Sequence, residues 1–391
     1  MTPLAFYLFL YFFGMTVYTY LGYPILLFLI NRFLHPKVAK KEITPSVSII
    51  LSAFNEEKYI ERKLHNLLQL DYPLESLEII VGSDGGSDTT DQIISKFRSP
   101  QIRFFRFIAN RGKPEVLNTL VQEAHGEILL FTDARQELDP MSLRELVANF
   151  HDAKVGCVSG ELLFKDIRTG NIGKGMDAYW KYEKWLRRNE SRLSSMLGAT
   201  GAIYAIRRQL FSPLPGTILV DDMYLPLTII QKGYRAIFES QAHAYDHTSS
   251  KGKEESKRKV RTLAGNYQIF ELFPALLNPL KSRIAWQLLS HKFLRLMVPF
   301  FLVGIFICNL LLMANKIFAW FFILQMIFYG LAFIEGARET LHMQRTHEGK
   351  PRKRTIGYIP YTFCLLNYAA MKGLIQYATQ NTSATWEKAY S

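Results

Sequence analysis

Three short stretches between Pro45 and Gln136 decide the fold: PSVSIILSAFNEE (residues 45–57), LEIIVGSDGGSD (77–88) and EILLFTDAR (127–135). Each stretch is an apolar strand that runs into polar and acidic residues. In an open α/β sheet, ligands bind outside the carboxyl ends of the strands, so we expect the three tips to meet at one crevice. Carboxylates there suit a divalent cation and a phosphorylated ligand, which indicates a nucleoside-diphosphate site.

Amphipathic helices are predicted after these strands, over residues 59–70, 90–97 and 114–124. Strands that alternate with helices favour a parallel, doubly wound sheet. Ser87 and Asp88 are typical N-cap residues for the second helix, but capping does not explain Asp84 at the strand end.

An uncharged apolar run opens the chain, from Leu4 to Ile30. At about 1.5 Å per residue it is long enough to cross a hydrocarbon core of roughly 30 Å. Basic residues follow the run, whereas a secretory signal peptide carries them in front. We therefore predict a retained transmembrane helix over residues 1–33.

A second apolar region, predicted as a C-terminal membrane region over residues 293–380, contains two strong spans, 296–313 and 317–334. Because a short turn separates them, they form a predicted membrane hairpin. A weaker segment, 356–378, is interrupted by polar residues, and it can cross, re-enter or lie in the interface. A helix over residues 271–292 is predicted to lie at the interface.

The orientation follows from the loop 335–354, which contains six arginine and lysine residues. The positive-inside rule places this loop in the cytoplasm, together with the basic segment after the first span. We therefore predict a multi-pass inner-membrane protein whose large domain, residues 45–270, is cytoplasmic.

The formal net charge is +13, and the basic residues cluster beside the spans and in residues 251–261. Since they form no recognisable nucleic-acid-reading motif, we predict the lipid bilayer as a partner and no nucleic acid. The three cysteines are scattered and predict neither disulfides nor a metal site.

Residues 45–268 resemble glycosyltransferase family 2, whose nucleotide-sugar domain has the Rossmann-like GT-A fold. The matching segments are SVSIILSAFNEE, EIIVGSDGGSDTT, NRGKPEVLN (110–118) and EILLFTDAR. The flanking spans resemble those of bacterial membrane-bound polysaccharide synthases. The resemblance implies an α/β GT-A domain flanked by transmembrane helices.

The resemblance also implies which residues form the donor side of the site. Asn55, Glu56 and Asp84 match positions that hold the nucleoside, which implies a nucleotide-sugar donor, with UDP as the expected nucleotide. Gly112 and Lys113 stand where, by this resemblance, a backbone turn and a cationic side chain approach the ligand. A turn with a purely structural role is the alternative.

Asp133 matches the first carboxylate of the family's DxD motif, which implies a divalent cation, Mg²⁺ or Mn²⁺. The chain departs from that motif at its second acidic position, where Arg135 stands. Either Asp133 holds the metal with phosphate and another residue, or Arg135 itself neutralises phosphate charge.

The acceptor side begins with the small-residue segment 198–204, and Asp222 in Val220-Asp221-Asp222 matches the family's catalytic base. An acceptor hydroxyl that attacks the anomeric carbon directly needs one base and no protein nucleophile, so the implied outcome is inversion. Two carboxylates before an apolar helix also suit an ordinary helix N-terminus.

Arg258 and Arg261 lie where processive relatives carry a QxxRW motif, and both can face a diphosphate from one helix. Contact with lipid headgroups is the alternative. Thr262 replaces the tryptophan of that motif, which weakens the case for a processive synthase.

The sequence thus predicts an inverting membrane glycosyltransferase that passes a sugar to a lipid-linked or polysaccharide acceptor, with polysaccharide-export subunits as possible partners. A processive synthase that extrudes its polymer and a noncatalytic sugar-nucleotide sensor remain as alternatives. The aromatic helix 174–188 is either an acceptor platform or a bilayer-surface element, and His247 either packs in a loop or contacts the diphosphate.

Overall fold

The computed structural model of the chain describes residues 3–34, 36–164, 173–246, 252–345 and 356–379. The strands are β1 Val47–Ala53, β2 Leu77–Asp84, β3 Ile102–Phe107, β4 Ile128–Phe131, β5 Glu137–Leu138, β6 Val155–Phe164, β7 Tyr204–Arg207 and β8 Arg235–Asp246. The helices are α1 Pro3–Val17, α2 Tyr23–Asn31, α3 Ile60–Leu68, α4 Thr90–Lys96, α5 Lys113–Gln122, α6 Ser142–Val147, α7 Gly173–Leu193, α8 Asp221–Gln231, α9 Gly252–Leu272, α10 Ala285–Gln287, α11 Leu294–Leu311, α12 Lys316–Arg345 and α13 Tyr358–Ala378.

The strands form one sheet in the order β3-β2-β1-β4-β7-β6-β8-β5. The first four strands are parallel, as predicted, with β1 between β2 and β4. Beyond β4 the prediction of a parallel sheet is wrong, because β7 pairs antiparallel with both β4 and β6. Helices still alternate with the strands here, with α7 between β6 and β7 and α8 between β7 and β8, so the alternation alone does not specify the strand direction.

The central strand β1 is buried along its whole length, and its side chains alternate between two cores. Ile49 and Leu51 pack on one face with Ile60 of α3. Ile50 packs on the other face with Val116 of α5. A strand covered by helices on both sides reads as a continuous apolar run, which is why this segment was recognisable in the sequence.

Three helical stretches are long and apolar enough to cross a membrane among the described residues: Pro3–Asn31, Ala285–Leu311 and Lys316–Leu341. They coincide with the predicted first span and the predicted hairpin. Their helices pack on each other through an apolar cluster that includes Phe9 and Phe318. The helical terminal regions flanking the α/β domain are thus confirmed, whereas their passage through a bilayer stays a prediction.

The weaker segment, predicted over residues 356–378, forms the helix α13. It is not among the candidate spans found in the described part of the chain. It packs closely on α9, because a Cβ on Gly373 would lie 3.0 Å from the backbone nitrogen of Ala264. Tyr377 at its end donates a hydrogen bond to Glu271. This contact ties α13 to the α/β domain.

Residues 271–292, predicted as one interfacial helix, are not a single helix. The helix α9 ends at Leu272, a short 3₁₀ turn covers Pro274–Leu277, and a new helix begins at Ala285 and continues into α11. Pro274 has no backbone N–H to donate to the preceding turn, which favours the end of α9 just before it.

The α/β domain is joined to the apolar helices by buried polar contacts of α7. Glu190 accepts a hydrogen bond from Tyr23 Oη at 2.6 Å, and its Oε1 also lies 2.6 Å from His291 Nδ1. Glu183 forms an ion pair with Arg295. Because buried carboxylates need such partners, these contacts fix α7 beside α2 and α11 and favour its interpretation as a bilayer-surface element.

Candidate functional site

The carboxyl ends of β1, β2 and β4 meet the first turns of α5 and α8, as the sequence predicted. Lys113 joins these elements: its Nζ lies 3.1 Å from Asp133 Oδ1 and 3.3 Å from Asp221 Oδ2. Burial lowers the pKa of Lys113, but the carboxylates of Asp133, Asp221 and Asp222 outweigh it and hold that pKa above its ordinary value. The structure therefore places a permanent cation between the predicted donor and acceptor sides.

Gly201 lies between Asp133 and Asp222, the carboxylates predicted to bind the metal and to act as the base. A Cβ at this position would lie 3.3 Å from Asp133 Oδ2 and 3.7 Å from Asp222 Oδ2. The backbone N–H of Gly201 donates to Asp222 Oδ2 at 3.2 Å. The small residue therefore lets both acidic side chains approach one region.

The two adjacent aspartates at the start of α8 have different surroundings. Asp221 is 9% exposed, and its Oδ2 is shared by Lys113 and by Tyr204, whose hydroxyl lies 3.5 Å away. Asp222 is half-buried, and its pKa is raised to about 6 by burial and by the neighbouring charge of Asp221. The Asp222 carboxylate is therefore partly accessible from solvent, and its basicity suits proton transfer near neutral pH.

Asp84 is fully buried at the tip of β2 and accepts two backbone hydrogen bonds. Arg111 N–H donates to its Oδ1 at 2.7 Å and Gly112 N–H to its Oδ2 at 2.8 Å. Gly112 has a φ of 87°, a conformation that favours glycine, and it leads directly into Lys113. The geometry favours a role for Asp84 in positioning the loop before Lys113 over the predicted contact with the nucleoside.

We expect Asp84→Asn to lower the thermal unfolding midpoint, because an asparagine offers one oxygen to two N–H groups. The cost of one buried unsatisfied donor is about 1–3 kcal/mol of unfolding free energy. Thermal unfolding of the purified protein in detergent measures the shift. Asp71→Asn is the matched control, since Asp71 is in an exposed ion pair with Arg144, which contributes little. Equal shifts for the two variants would contradict the positioning role.

Asn55 and Glu56 fasten the tip of β1 to the loop after β2. Asn55 has a φ of 55°, and its Oδ1 accepts the N–H groups of Ser87 at 2.7 Å and Asp88 at 3.3 Å. The backbone N–H of Glu56 donates to Thr90 Oγ1 at 2.8 Å. Both residues therefore join the tips of β1 and β2, and the oxygen of Asn55 is used within the protein. Their contact with the nucleoside stays a prediction.

Arg135, which replaces the second acidic residue of the DxD motif, pairs with Asp246 at the end of β8. Gln136 Nε2 donates to the same Asp246 oxygen at 2.8 Å. Asp246 is 1% exposed, so its charge is matched by that of the arginine. Of the two alternatives left open by the sequence, this pair favours a metal held at Asp133 without help from position 135.

Lys63 was missed in the sequence analysis although it lies directly behind Asp133. It is 1% exposed, and its Nζ donates to Thr132 Oγ1 and to the carbonyl of Gln136, both at 2.7 Å. Burial lowers the pKa of Lys63 to about 7. The sequence pattern did indicate that Lys63 is buried, because position 63 falls on the apolar stripe of α3 with Ile60 and Leu67.

The helix α9 lies beside the loop that precedes Asp221. A Cβ on Gly265 would lie 2.7 Å from Val220 Cγ1, so the Val220 side chain packs directly on the backbone of α9. Arg261 is one helical turn before Gly265, and its Nε is buried without a hydrogen-bond partner. Arg258 is exposed one turn earlier. His247 lies outside the described residues.

The donor set suits a hard divalent cation that takes its other ligands from a substrate. No group of three or more candidate ligands occurs among the described residues. The side chain of Asp133 is 40% exposed, and one of its oxygens is directed towards Gly201 rather than towards Lys113. Mg²⁺ is often bound by one or two carboxylates together with phosphates, so these residues fit such an ion.

Comparisons with known proteins agree on the class of the domain. Residues 48–214 match the family model described as Glycosyl transferase family 2. The protein named "Probable glycosyltransferase YdaM" of Bacillus subtilis is 27% identical over 332 residues, which are 78% of this chain and 76% of that protein. The poly-beta-1,6-N-acetyl-D-glucosamine synthase of Staphylococcus aureus is 24% identical over 229 residues, or 57% of this chain and 55% of the synthase.

Among solved structures, the mannosyltransferase PcManGT from Pyrobaculum calidifontis, in complex with GDP-Man and Mn²⁺, superposes with a TM-score of 0.71. The match covers 95% of this chain and 99% of that chain at 21% identity. This similarity supports the predicted GT-A fold and its arrangement with the terminal helices.

Proposed function

We propose that this chain, whose residues 48–214 match the model of glycosyltransferase family 2, is an inverting membrane glycosyltransferase. It moves a sugar from a nucleotide-sugar, with UDP as the expected nucleotide, to a membrane-associated acceptor in exopolysaccharide or glycolipid synthesis. The observation that carries the proposal is the cluster in which Lys113 bridges Asp133 and Asp221 while Asp222 stands across Gly201 from Asp133.

Asp222 is the proposed general base. As the acceptor hydroxyl oxygen forms its bond to the anomeric carbon, its proton passes to the Asp222 carboxylate, and the bond from that carbon to the diphosphate oxygen breaks on the opposite face. The electron pair of the broken bond leaves with the nucleoside diphosphate. One displacement inverts the anomeric centre, so an α-linked donor gives a β-linked product.

The leaving diphosphate needs positive charge beside it. Lys113 supplies one fixed cation, and Arg261, whose Nε lacks a partner, is a second donor on the α9 side. Asp133 is the residue that would hold a divalent cation. When bound, such an ion neutralises the charge that develops on the phosphate oxygens.

The membrane placement is part of the proposal. Three apolar helical stretches flank the domain, and the basic loop 335–354 favours a cytoplasmic location for residues 45–270. In this orientation the donor arrives from the cytoplasm and the acceptor from the inner membrane, where a lipid-linked saccharide or a growing polysaccharide is available. Polysaccharide-export subunits are proposed partners.

A processive polysaccharide synthase is the second candidate, and the match to the Staphylococcus aureus synthase favours it. Against it, Thr262 occupies the position where processive relatives carry a tryptophan. Product length distinguishes the two candidates, since a processive enzyme releases long polymer even when acceptor is in excess.

The test is release of nucleoside diphosphate by the detergent-purified protein across a panel of UDP- and GDP-sugars. Each donor is assayed with Mg²⁺, with Mn²⁺ and with chelator, in the presence of native lipid extract as acceptor. We expect metal-stimulated release from one donor and its loss in Asp222→Asn. Donor binding without release in any acceptor condition would contradict the transferase and favour a noncatalytic sugar-nucleotide sensor.

A further inference from the structure

A cavity of about 570 Å³ lies on the far side of the domain from the catalytic cluster, where α2 ends. Its walls come from the last residues of α2, the segment that follows, the end of α7 and the beginning of β8. The residues used below are Asn31, Arg32, Lys37, Arg192 and Arg235, all of which line it. None of the residues predicted to act in sugar transfer is among its lining residues.

The cavity has a strongly positive lining. Four of its lining residues are arginine or lysine, and none is aspartate or glutamate. Arg235 is held in place by donating to the carbonyls of Ser194 at 2.9 Å and Ser191 at 3.0 Å. Arg32, Lys37 and Arg192 are exposed and form no ion pair with a described residue. A cavity of this kind suits an anion.

Two acidic residues lie near the cavity. Glu239 is paired with Lys40 at 2.7 Å and accepts a hydrogen bond from Asn149 at 2.9 Å. Asp152 accepts the backbone N–H groups of Lys154 and Ala39. Burial lowers the pKa of Arg235, and the negative charge of Asp152 opposes that shift, so Asp152 offsets part of the charge of Arg235. The positive charges of Arg32, Lys37 and Arg192 remain available to a ligand.

The position of the cavity identifies the source of the anion. The first candidate span ends at Asn31, so Arg32 lies directly beyond the hydrocarbon core, at the depth of the lipid phosphates. Phe33 and Leu34 follow it and are 79% and 61% exposed, as expected for side chains that insert into the bilayer surface. In the proposed membrane placement the cavity therefore lies beside the lipid headgroups.

The end of α2 is fastened beside the cavity, since Asn31 Nδ2 donates to the carbonyl of Asn189 at 2.9 Å. A headgroup with a negative phosphate and no positive charge of its own, as in phosphatidylglycerol, suits a lining with four basic residues and no acidic residue.

We propose that this cavity is a binding site for the headgroup of an anionic phospholipid such as phosphatidylglycerol. Arg32, Lys37 and Arg192 contact the phosphate. The inference rests on the proposed membrane placement and is independent of the proposed sugar transfer. A bound lipid would fasten the first span to the domain and stabilise the folded protein.

The test measures lipid binding on the full chain in a neutral detergent. Phosphatidylglycerol, phosphatidylcholine with the same acyl chains, and soluble glycerol 1-phosphate are added separately, and the thermal midpoint and lipid retention in native mass spectrometry are recorded. We expect phosphatidylglycerol alone to raise the midpoint and to be retained. A roughly 100-fold loss of apparent affinity is expected in Arg32→Gln/Lys37→Gln/Arg192→Gln, since each basic residue contributes about fivefold at an anionic surface.

The matched control is Lys281→Gln/Arg283→Gln/Arg338→Gln, which removes the same charge from exposed positions that do not line the cavity. Equal losses in the two triple variants would overturn the site in favour of general surface attraction. Equal stabilisation by glycerol 1-phosphate would contradict a lipid ligand and indicate that the cavity binds a soluble anion. Purification of the full chain as a soluble protein without detergent would contradict the proposed membrane placement, and with it the lipid site.

Discussion

Asp222→Asn is expected to slow sugar transfer by about 10³-fold, because the amide cannot accept the proton of the acceptor hydroxyl. Donor affinity should change little, since Asp222 lies on the acceptor side of Gly201 and the cation Lys113 stays in place. The measurement is the steady-state rate of nucleoside diphosphate release with saturating donor and acceptor. A variant that retained more than a tenth of the wild-type rate would exclude Asp222 as the base.

The pH dependence provides an independent check of the same residue. The pKa of Asp222 is raised to about 6, chiefly by burial and then by Asp221. Since the base must be ionised, kcat should be constant above about pH 7 and fall tenfold per pH unit below pH 6. Asp221→Asn removes a neighbouring negative charge, so it should lower the pKa of Asp222 and move this acid limb to lower pH. An unchanged limb would contradict the assignment.

Lys113→Met is expected to raise the donor KM by about 10- to 100-fold, because one charge-assisted contact to the diphosphate is lost. The same change leaves Asp133 and Asp221 without the cation that lies 3.1 Å and 3.3 Å from them, so repulsion between carboxylates and diphosphate adds to the loss. Initial rates over a range of donor concentrations at fixed metal measure the effect.

Lys113→Arg is the matched control for this prediction, because it keeps the charge on a longer and broader group. We expect it to retain donor binding better than the methionine variant at a reduced kcat. If the methionine variant kept the wild-type KM and only kcat fell, Lys113 would act in the transition state alone and not in donor binding.

The largest difference between sequence and structure concerns the DxD region. The sequence predicted Asp133 at a strand tip because a short apolar run followed by an acidic residue is a local pattern. It did not reveal that Arg135 pairs with Asp246, which lies 111 positions later, or that Lys63 supports the loop from 69 positions earlier. Both contacts arise only when β8 and α3 pack around β4.

Asp84 illustrates a second limit. Its place at the end of β2 was predictable, but its role was not, because a carboxylate at a strand tip can face a ligand or the protein itself. In the structure both oxygens accept N–H groups of the loop before Lys113. Which N–H groups come within reach depends on how α5 packs on the sheet, and no periodicity in the sequence reports that packing.

The sequence by itself determined the strands with acidic tips, the apolar helices at both ends and the acidic residues of the site, because each is read from a run of neighbouring residues. Only the tertiary structure decided the mixed strand directions in the second half of the sheet, the fixed place of α13 on α9, the buried partners of α7 and the positive cavity at the end of α2. These features depend on contacts between segments far apart in the chain, where the identity of a side chain does not specify its partner.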